Sequence, residues 1–471
     1  MKKLLIAVLA LALFSCANES DSVDETSFEQ EAVVVDSRHP EWVKSANIYE
    51  VNVRQYTKSG TLNDFAKDLP RLNEMGVDIL WFMPIQPIGV KNRKESPADN
   101  GSYYSIRNYT EVNPELGSLQ DFKDIVNQAH EMGMYVVLDW VANHTAWDHV
   151  WVENHPEWYT ADADGNSPIV PIDNEGGATD WTDVADLNYD NSEMRKQMIE
   201  DMKFWLTETN IDGFRCDVAG FVPNDFWQEA RPELDKTKSD LFMLAEWEDP
   251  AHMETFNMNY GWHMHHLMNE VAKGDTNAKA FETYAEILDS LYDQDDIRMY
   301  FTTNHDENSW NGTIEERFGQ AGLTYFVLAS TYGNGMPLIY SGQEMGLSHR
   351  LSFFGKDEIS WERPELVPFY ARSLELKHKN PALWNGNYGG PMTIISQDNE
   401  NVLVFTREDG DNKVVVMLNF SEEVQMFANN VAYKGEFLDW YNGVITYEFT
   451  GVPQIKLAPY EFKVFVQNQD Q

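Results

Sequence analysis

Cysteine, basic side chains and long apolar runs are all scarce in this sequence of 471 residues. It has two cysteines, Cys16 and Cys216, so at most one intramolecular disulfide is possible. Lys and Arg number 35 against 77 Asp and Glu, and the net charge of −42 argues against nucleic acid and other polyanions as partners. The longest apolar run, Leu4 to Phe14, is too short to span a bilayer. With 42% hydrophobic residues, the chain is nevertheless a large globular protein.

The amino-terminal residues have the layout of a secretory signal. Two lysines precede the apolar run, and Leu13-Phe14-Ser15-Cys16 resembles the bacterial lipobox, in which the cysteine is lipidated and becomes the first residue. We predict a lipoprotein signal peptide over residues 1–15, an acidic tether over 16–38 and lipidation of Cys16. An ordinary secretory peptide with an incidental cysteine is the alternative. The anchored protein would belong to the cell envelope, attached to the outer membrane on its periplasmic or its cell-surface face.

Apolar segments alternate with amphipathic helical patterns through most of the chain. The helical pattern of 192–209, for example, leads into the apolar stretch 211–217. Nearly continuous apolar runs suit strands that are buried on both faces of a parallel sheet, and about eight strand and helix units predict a closed (β/α)8 TIM barrel. We assign residues 39–142 and 191–384 to this α/β barrel and place its sixth strand near Met258 to Trp262.

Two segments interrupt the alternation. Residues 143–190 are rich in Asp, Asn, Gly, Pro and Trp without helical period and are too long for a plain loop, so we predict an inserted subdomain. Within it, Asp162-Ala163-Asp164-Gly165-Asn166 looks like part of a calcium loop, but a hairpin turn is favoured. Alternating apolar residues over 385–471 predict a carboxyl-terminal antiparallel β-sandwich.

Polar residues recur at the ends of the predicted strands. They are Asp139, Asn143 and His144 after the third strand, Arg215 and Asp217 at the fourth, Glu246 at the fifth, and Asn304, His305 and Asp306 after the seventh. Residues at the carboxyl ends of barrel strands converge on one mouth, where such enzymes place their chemistry. Arg215 and Asp217 share a strand face, so the guanidinium would hold the carboxylate ionised. For that pair alone, a structural ion pair inside a barrel is the alternative.

Two carboxylates of opposite protonation are what glycoside hydrolysis needs. Asp217, paired with Arg215, suits the nucleophile. Glu246 lies among apolar neighbours, which would raise its pKa and keep it protonated as the acid. A retaining mechanism places the two carboxyl groups roughly 5 Å apart. Asp306 would stabilise the oxocarbenium-like transition state.

Several motifs, in order and spacing, resemble the α-amylase family, glycoside hydrolase family 13, over about residues 40 to 465. They are Asp139-x-x-x-Asn143-His144, Gly213-Phe214-Arg215-x-Asp217, Glu246 and Phe301-x-x-Asn304-His305-Asp306, with supporting stretches at Trp81 to Ile85, Val184 to Asn188 and Gly335 to Glu344. The insert then corresponds to the family's domain B and the tail to its domain C.

The resemblance also implies roles for single residues. Asp217 is the nucleophile, Glu246 the acid/base and Asp306 the transition-state stabiliser. The sugar at the cleavage point would be bound by Tyr104, which stacks on it, by His144 and His305, and by the site around Arg215. A structural Ca²⁺ would lie between barrel and insert on Asn143 and Asp186, since oxygen ligands suit that ion.

One departure from the family concerns the positions after the nucleophile. Many α-amylases carry Lys-His there, on the leaving side of the substrate, where this chain has Gly220 and Phe221. The change leaves the cleavage chemistry intact but bears on the substrate and on the calcium site. Candidate walls of the cleft are Trp151, Trp158 and Trp181 in the insert and Trp310 beyond Asp306.

We therefore expect a lipid-anchored, retaining α-glucan hydrolase, a monomer, that cleaves α-1,4 bonds of starch or malto-oligosaccharides. A malto-oligosaccharide transglycosylase and an exo-acting α-glucosidase of the same fold are the alternatives. A non-catalytic glucan-binding lipoprotein is the alternative from another class. It is disfavoured because all three carboxylates are present.

Overall fold

The computed structural model describes residues 38–94, 100–173, 175–443 and 446–467. The predicted signal peptide, Cys16 and the predicted tether up to residue 37 lie outside these residues. Among the helices described, none is long and apolar enough to cross a membrane.

Ten strands of the described chain precede residue 341. They are β1 (Ile48–Val51), β2 (Ile79–Phe82), β3 (Tyr135–Trp140), β4 (His144–Ala146), β5 (Val184–Asp186), β6 (Gly213–Cys216), β7 (Phe242–Ala245), β8 (Met258–Tyr260), β9 (Ile297–Tyr300) and β10 (Met336–Tyr340). β4 and β5 pair with each other, and the other eight form a closed parallel barrel in the order β1-β10-β9-β8-β7-β6-β3-β2. The predicted barrel is confirmed, including a sixth strand that begins at Met258.

Most helices pack on the outside of the barrel, while the helix Val150–Asn154 belongs to the predicted insert. Those of the described residues are α1 (Val53–Tyr56), α2 (Leu62–Phe65), α3 (Leu69–Met75), α4 (Leu119–Glu131), α5 (Val150–Asn154), α6 (Ser192–Thr209), α7 (Asn224–Asp235), α8 (Trp262–Lys273), α9 (Lys279–Leu291), α10 (Ile314–Phe318), α11 (Gly322–Thr331) and α12 (Val367–Lys379). α6 begins where the Asn191 side chain accepts hydrogen bonds from two backbone N–H groups, and it ends at Asn210, whose φ of 58° is left-handed. These signals explain why the helical pattern of 192–209 is realised in full.

Strand β6 separates two environments. Phe214 and Cys216 pack into the apolar layer between barrel and helices. Arg215 points the other way, into the barrel, where its guanidinium lies 5.0 Å from the centre of the Trp81 ring. A Cβ on Gly213 would lie 1.8 Å from the carbonyl oxygen of Phe242, so only glycine allows β7 to approach this closely.

The carboxyl-terminal strands form two antiparallel sheets. They are β11 (Met392–Ile394), β12 (Val402–Asp409), β13 (Asn412–Asn419), β14 (Gln425–Ala428), β15 (Glu436–Asp439), β16 (Thr446–Glu448), β17 (Gln454–Leu457) and β18 (Phe462–Gln467). Six of them make one sheet, β14 and β17 make the other, and an apolar core lies between the two. The predicted β-sandwich is confirmed, while the residue boundaries of the three domains remain predictions.

Candidate active site

The predicted site residues meet at the carboxyl ends of the barrel strands. Asp217 follows β6 directly, Glu246 follows β7, and Asp306 lies in the loop after β9. These three carboxylates line one cavity of about 330 Å³. Tyr104, His144 and His305 line the same cavity. Arg215 lies beneath it, fully buried.

Arg215 is shared among three carboxylates rather than paired with Asp217 alone. Its Nη1 donates hydrogen bonds of 2.9 Å to Oδ1 of Asp139 and of 2.9 Å to Oδ1 of Asp217. Its Nη2 lies 2.7 Å from Oε1 of Glu246, an ion contact without the alignment of a hydrogen bond. One guanidinium thus holds the nucleophile candidate and the acid candidate in fixed relation, which a strand pattern alone does not reveal.

Glu246 is the carboxylate that is prepared to hold a proton. Burial raises its pKa, Arg215 opposes this, and the charges of Asp217 and Asp306 raise it further, to about 8. Its Oε2 accepts a 2.7 Å hydrogen bond from the backbone N–H of Val218. Burial agrees with the expectation from its apolar neighbours, but two carboxylates across the cavity contribute as well.

His305 and Tyr104 form the floor next to Asp306. His305 Nδ1 lies 2.5 Å from Oε1 of the buried Glu50, and its Nε2 lies 2.7 Å from the Tyr104 hydroxyl and 3.3 Å from Oδ2 of Asp306. Burial alone would lower the pKa of His305, but Asp306 and Glu50 outweigh it and raise it to about 9. The imidazolium therefore stays charged at neutral pH. The Tyr104 ring stacks on it, with centroids 5.3 Å apart.

His144 has the opposite character. Its Nδ1 lies 3.2 Å from the side-chain nitrogen of Asn143, and its ring centre is 5.7 Å from that of Trp181. Burial lowers its pKa although Asp217 and Asp183 raise it. A neutral ring at this place suits hydrogen bonding to a sugar hydroxyl.

The predicted calcium residues are neighbours across β4 and β5. The N–H of Leu187 donates to the carbonyl of Asn143, and Asp186 is paired with His144. Burial raises the pKa of Asp186 to about 6. No group of three or more His, Cys, Asp or Glu able to hold a metal occurs in the described chain. Ca²⁺ takes about six to eight oxygens, so these side chains fit it only with backbone carbonyls or water as further ligands.

Aromatic side chains form part of the cavity wall. Trp181 and Trp310 line it, as predicted. Trp151 and Trp158 do not: both are buried, with ring centroids 5.0 Å apart, and they belong to the core beneath the insert. The turn favoured over a calcium loop at 162–166 is present: Oδ1 of Asp162 accepts from the N–H groups of Asp164 and Asn166, and the Asp162 N–H donates to the carbonyl of Asn166.

Comparison with known proteins agrees with this geometry. The family model of the alpha amylase catalytic domain matches residues 34–385. The chain belongs to the alpha-amylase family. It is therefore an enzyme of the glycoside hydrolase class.

Relatives cover most of the length of this alpha-amylase family member. Alpha-amylase 3 of Dictyoglomus thermophilum is 27% identical in an alignment 463 positions long that covers 83% of this chain and 88% of the relative. Neopullulanase 2 of Thermoactinomyces vulgaris is 26% identical in an alignment 478 positions long that covers 90% of this chain and 77% of the relative. The crystal structure of a noncanonic maltogenic alpha-amylase from Thermotoga neapolitana has 29% identity and a TM-score of 0.79, covering 90% of this chain and 99% of that one.

The departure from the family motif after the nucleophile is filled by aromatic rings. Phe221 stacks on Trp181 with centroids 5.7 Å apart, and it meets Trp247 edge-on at 5.6 Å. A Cβ on Gly220 would lie 2.2 Å from the Trp247 ring, so glycine is what lets this ring lie here. Phe221 thus packs between Trp247 and Trp181, and Trp181 lines the cavity.

Sequence reasoning missed several residues of the site. Glu50 holds His305, and its signal was a carboxylate inside the otherwise apolar strand β1. Asp139 was noted, but its hydrogen bonds from Arg215, Trp81 and Tyr104 were not anticipated. Three further cavity residues, Lys94, Phe353 and Phe354, come from loops whose sequence gives no such signal.

Proposed function

We propose that this protein is a retaining α-glucan hydrolase that cleaves α-1,4-glucosidic bonds of starch or malto-oligosaccharides. The observation that carries the proposal is the shared contact of Arg215 with Asp217 and Glu246, combined with the raised pKa of Glu246. Asp217 accepts a directed hydrogen bond from Arg215. Glu246 is arranged to hold a proton at neutral pH.

The proposed reaction follows from this arrangement of the two carboxyl groups. An Oδ atom of Asp217 attacks the anomeric carbon, while Glu246 gives its proton to the leaving glycosidic oxygen as the carbon–oxygen bond breaks. The ionised Glu246 then takes a proton from water, whose oxygen attacks the anomeric carbon and releases Asp217. Two inversions give a product of the original α configuration.

The remaining residues act on binding and charge. Asp306 faces the same cavity and would stabilise positive charge on the sugar ring in the transition state. His305, charged through Asp306 and Glu50, would hold a hydroxyl of that sugar, and the ring of Tyr104 would stack on the sugar. The cavity volume of about 330 Å³ lies within the range of about 300 to 1,000 Å³ for ligand sites. An exo-acting α-glucosidase and a transglycosylase remain the alternatives.

A time course of products from maltoheptaose, followed by mass and by anomeric NMR, tests the proposal. Wild type should first release α-anomeric fragments, and Asp217→Asn should reduce the rate by at least about 10³-fold. Asp201→Asn is a matched control, since Asp201 is a buried carboxylate on α6 that binds Gln197. Initial β-anomers would contradict the retaining mechanism.

The same time course separates the alternatives. Glucose as the sole early product indicates an exo-acting α-glucosidase, and products longer than maltoheptaose indicate a transglycosylase. Binding of maltoheptaose without turnover by wild type would favour the non-catalytic reading.

The lipid anchor and the calcium ion are further parts of the proposal. Cys16 would carry the lipid, which palmitate labelling of wild type and Cys16→Ala in a bacterial host tests directly. Ca²⁺ bound by Asn143 and Asp186 would tie the insert to the barrel. A chelator should then lower the melting temperature of wild type but not that of Asp186→Asn.

A further inference from the structure

The side chain of Asp306 has little support of its own. It is about one-third exposed, at 35%, and its ion contact within the described part of the chain is with the neighbouring His305, 3.3 Å away. A carboxylate that must face a charged transition state needs a fixed direction. Its backbone must therefore supply that direction.

The backbone after Asp306 forms a π-helical turn, Glu307–Asn311. Such turns are uncommon and occur often at functional sites. The Glu307 N–H donates to Oδ1 of Asn304 at 2.8 Å, and Oε1 of Glu307 accepts from Asn311 Nδ2 at 3.0 Å. Glu307 thus binds the residues on both sides of Asp306.

The Glu307 carboxylate also leaves the loop and reaches two helices. Its Oε2 lies 3.0 Å from Nε2 of His265 on α8 and 3.6 Å from Nη1 of Arg317 on α10. Glu307 and His265 are both buried. Burial raises the pKa of Glu307, but the hydrogen bond from His265 and the charge of Arg317 lower it to about 2, and because burial lowers the pKa of His265 itself, Arg317 is the cation of this cluster. The carboxylate is therefore ionised across the working pH range.

His265 and Arg317, the partners of Glu307 on the two helices, also bind other residues of the segment around Asp306. His265 Nδ1 lies 3.1 Å from the carbonyl oxygen of Phe301. Arg317 donates from Nη2 to the carbonyl of Thr302 at 2.6 Å and from Nε to that of Gly312 at 3.0 Å. Glu307 is the contact that joins these anchors to the turn itself.

We propose that Glu307 is a positioning residue, which, together with His265 and Arg317, fixes the turn that directs Asp306 into the cavity. The inference rests on the proposed role of Asp306 in the reaction. Because Asp306 would act on the transition state, loss of Glu307 should lower kcat and leave KM nearly unchanged.

Kinetics on maltoheptaose with two variants test this positioning role. Glu307→Ala should lower kcat by about 10- to 100-fold, the scale of a small misplacement of a catalytic group. Glu307→Gln keeps an acceptor for Asn311 and a polar contact for the helices, so it should retain more activity than Glu307→Ala. Assays belong well below the melting temperature of each variant.

A matched control separates positioning from general stability. Glu344 is also a buried carboxylate bound to an arginine, Arg71, at 2.9 Å, and it also accepts from Tyr49 on the outer side of β1. Glu344→Gln should lower the melting temperature without lowering kcat. If it lowers kcat as much as Glu307→Gln does, the positioning role is wrong.

A double-mutant cycle with Asp306→Asn is decisive. If Glu307 acts through Asp306, Glu307→Ala should reduce the activity of Asp306→Asn by less than about 3-fold. An equal loss in both backgrounds would overturn the inference. If Glu307→Ala does not fold, His265→Gln enters the same cycle. Full activity of Asp306→Asn by itself would instead contradict the proposed function.

Discussion

The two ends of the barrel bury charge in opposite ways. At the carboxyl end, Arg215 is surrounded by carboxylates, among them Asp217 and Glu246. At the amino end, Lys377 on α12 donates to the carbonyls of Gly335 and Leu383, and Arg407 on β12 donates to carbonyls of residues 331, 333 and 390. Both ends are buried and charged, yet only one lines a cavity that holds the predicted site.

The partners make the difference. Carboxylates that compete for one cation can exchange protons, so burial at the carboxyl end yields groups with shifted pKa, such as Glu246. Carbonyl groups do not titrate. At the amino end, burial therefore lowers the pKa of Lys377 and the pKa of Arg407, the latter to about 9, and the two buried side chains join the β-sandwich to the barrel. Reactivity arises where the partners of a buried charge can themselves change charge.

The largest effect should come from Arg215→Met. The three carboxyl groups would lose their shared cation, and Asp217 would lose the hydrogen bond that orients it toward the cavity. We expect turnover to fall by at least about 10³-fold and the free energy of unfolding to fall by about 3–5 kcal/mol at pH 7.5. Because Arg215 lowers the pKa of Asp139 and that of Glu246, both pKa values should rise in the variant, and the stability difference from wild type should narrow as the pH falls toward 5.

Arg407→Met is the matched change at the other end. Its carbonyl partners cannot take up protons, so chemical denaturation should show a stability gap that is the same at pH 7.5 and pH 5. If the stability difference from wild type narrows equally for both variants as the pH falls, the two ends do not differ as described.

Glu246→Gln sharpens the comparison within the catalytic end. Turnover of maltoheptaose should fall by about 10²- to 10⁴-fold, the usual contribution of a general acid. Hydrolysis of α-maltosyl fluoride should be much less affected in its first step, because fluoride leaves without a proton.

The pH dependence of turnover tests the same residue in wild type. The acid must be protonated, so activity should fall as the pH rises through about 8, the pKa to which burial and two neighbouring carboxylates raise Glu246. Release of fluoride by Glu246→Gln should lack this alkaline limb. An unchanged limb would assign it to another group.

The barrel and the meeting of the carboxylates were predictable, since both follow from local pattern. Buried parallel strands are apolar throughout, their helices are periodic, and carboxyl ends of barrel strands converge whatever the details. Even β8, three residues long, was located by its place in the alternation.

Contacts between distant segments were not predictable. Glu50 and His305 are 255 positions apart in sequence, and they meet only because the barrel closes between β1 and β10. Trp151 and Trp181 lie in the same insert with similar surroundings in sequence, yet one is core and one lines the cavity. Which ring faces outward depends on how the insert folds on the barrel, and sequence pattern does not encode that at single residues.

A smaller effect is expected from Lys377→Met, which tests the amino end. The pKa of Lys377 in the folded protein lies well below its value of about 10.4 in the unfolded chain. At a pH between these two values the unfolded chain binds one more proton than the folded protein, so the free energy of unfolding rises with pH. At pH 7 the variant should be equal to wild type or up to about 2 kcal/mol more stable. Denaturant unfolding at pH 10 should show that wild type has gained about this much stability relative to the variant. A difference independent of pH would show that Lys377 is charged in the fold.

The smallest effect should come from Val218→Gly, where the carboxyl end holds backbone strain. Val218 has a φ of 36° and a ψ of 49°, a left-handed conformation unfavourable for a β-branched residue, while its N–H holds Oε2 of Glu246. Glycine removes a strain of about 1–2 kcal/mol and adds an entropic penalty of about 0.5–1 kcal/mol, so stability should rise by about 0 to 1.5 kcal/mol. The backbone N–H remains, so the alkaline limb should stay near pH 8. Val218→Ala keeps a Cβ and should gain less than Val218→Gly. If glycine instead destabilises the protein and moves the limb, the valine side chain itself holds the loop against Glu246, and strain at this end is compensated by packing.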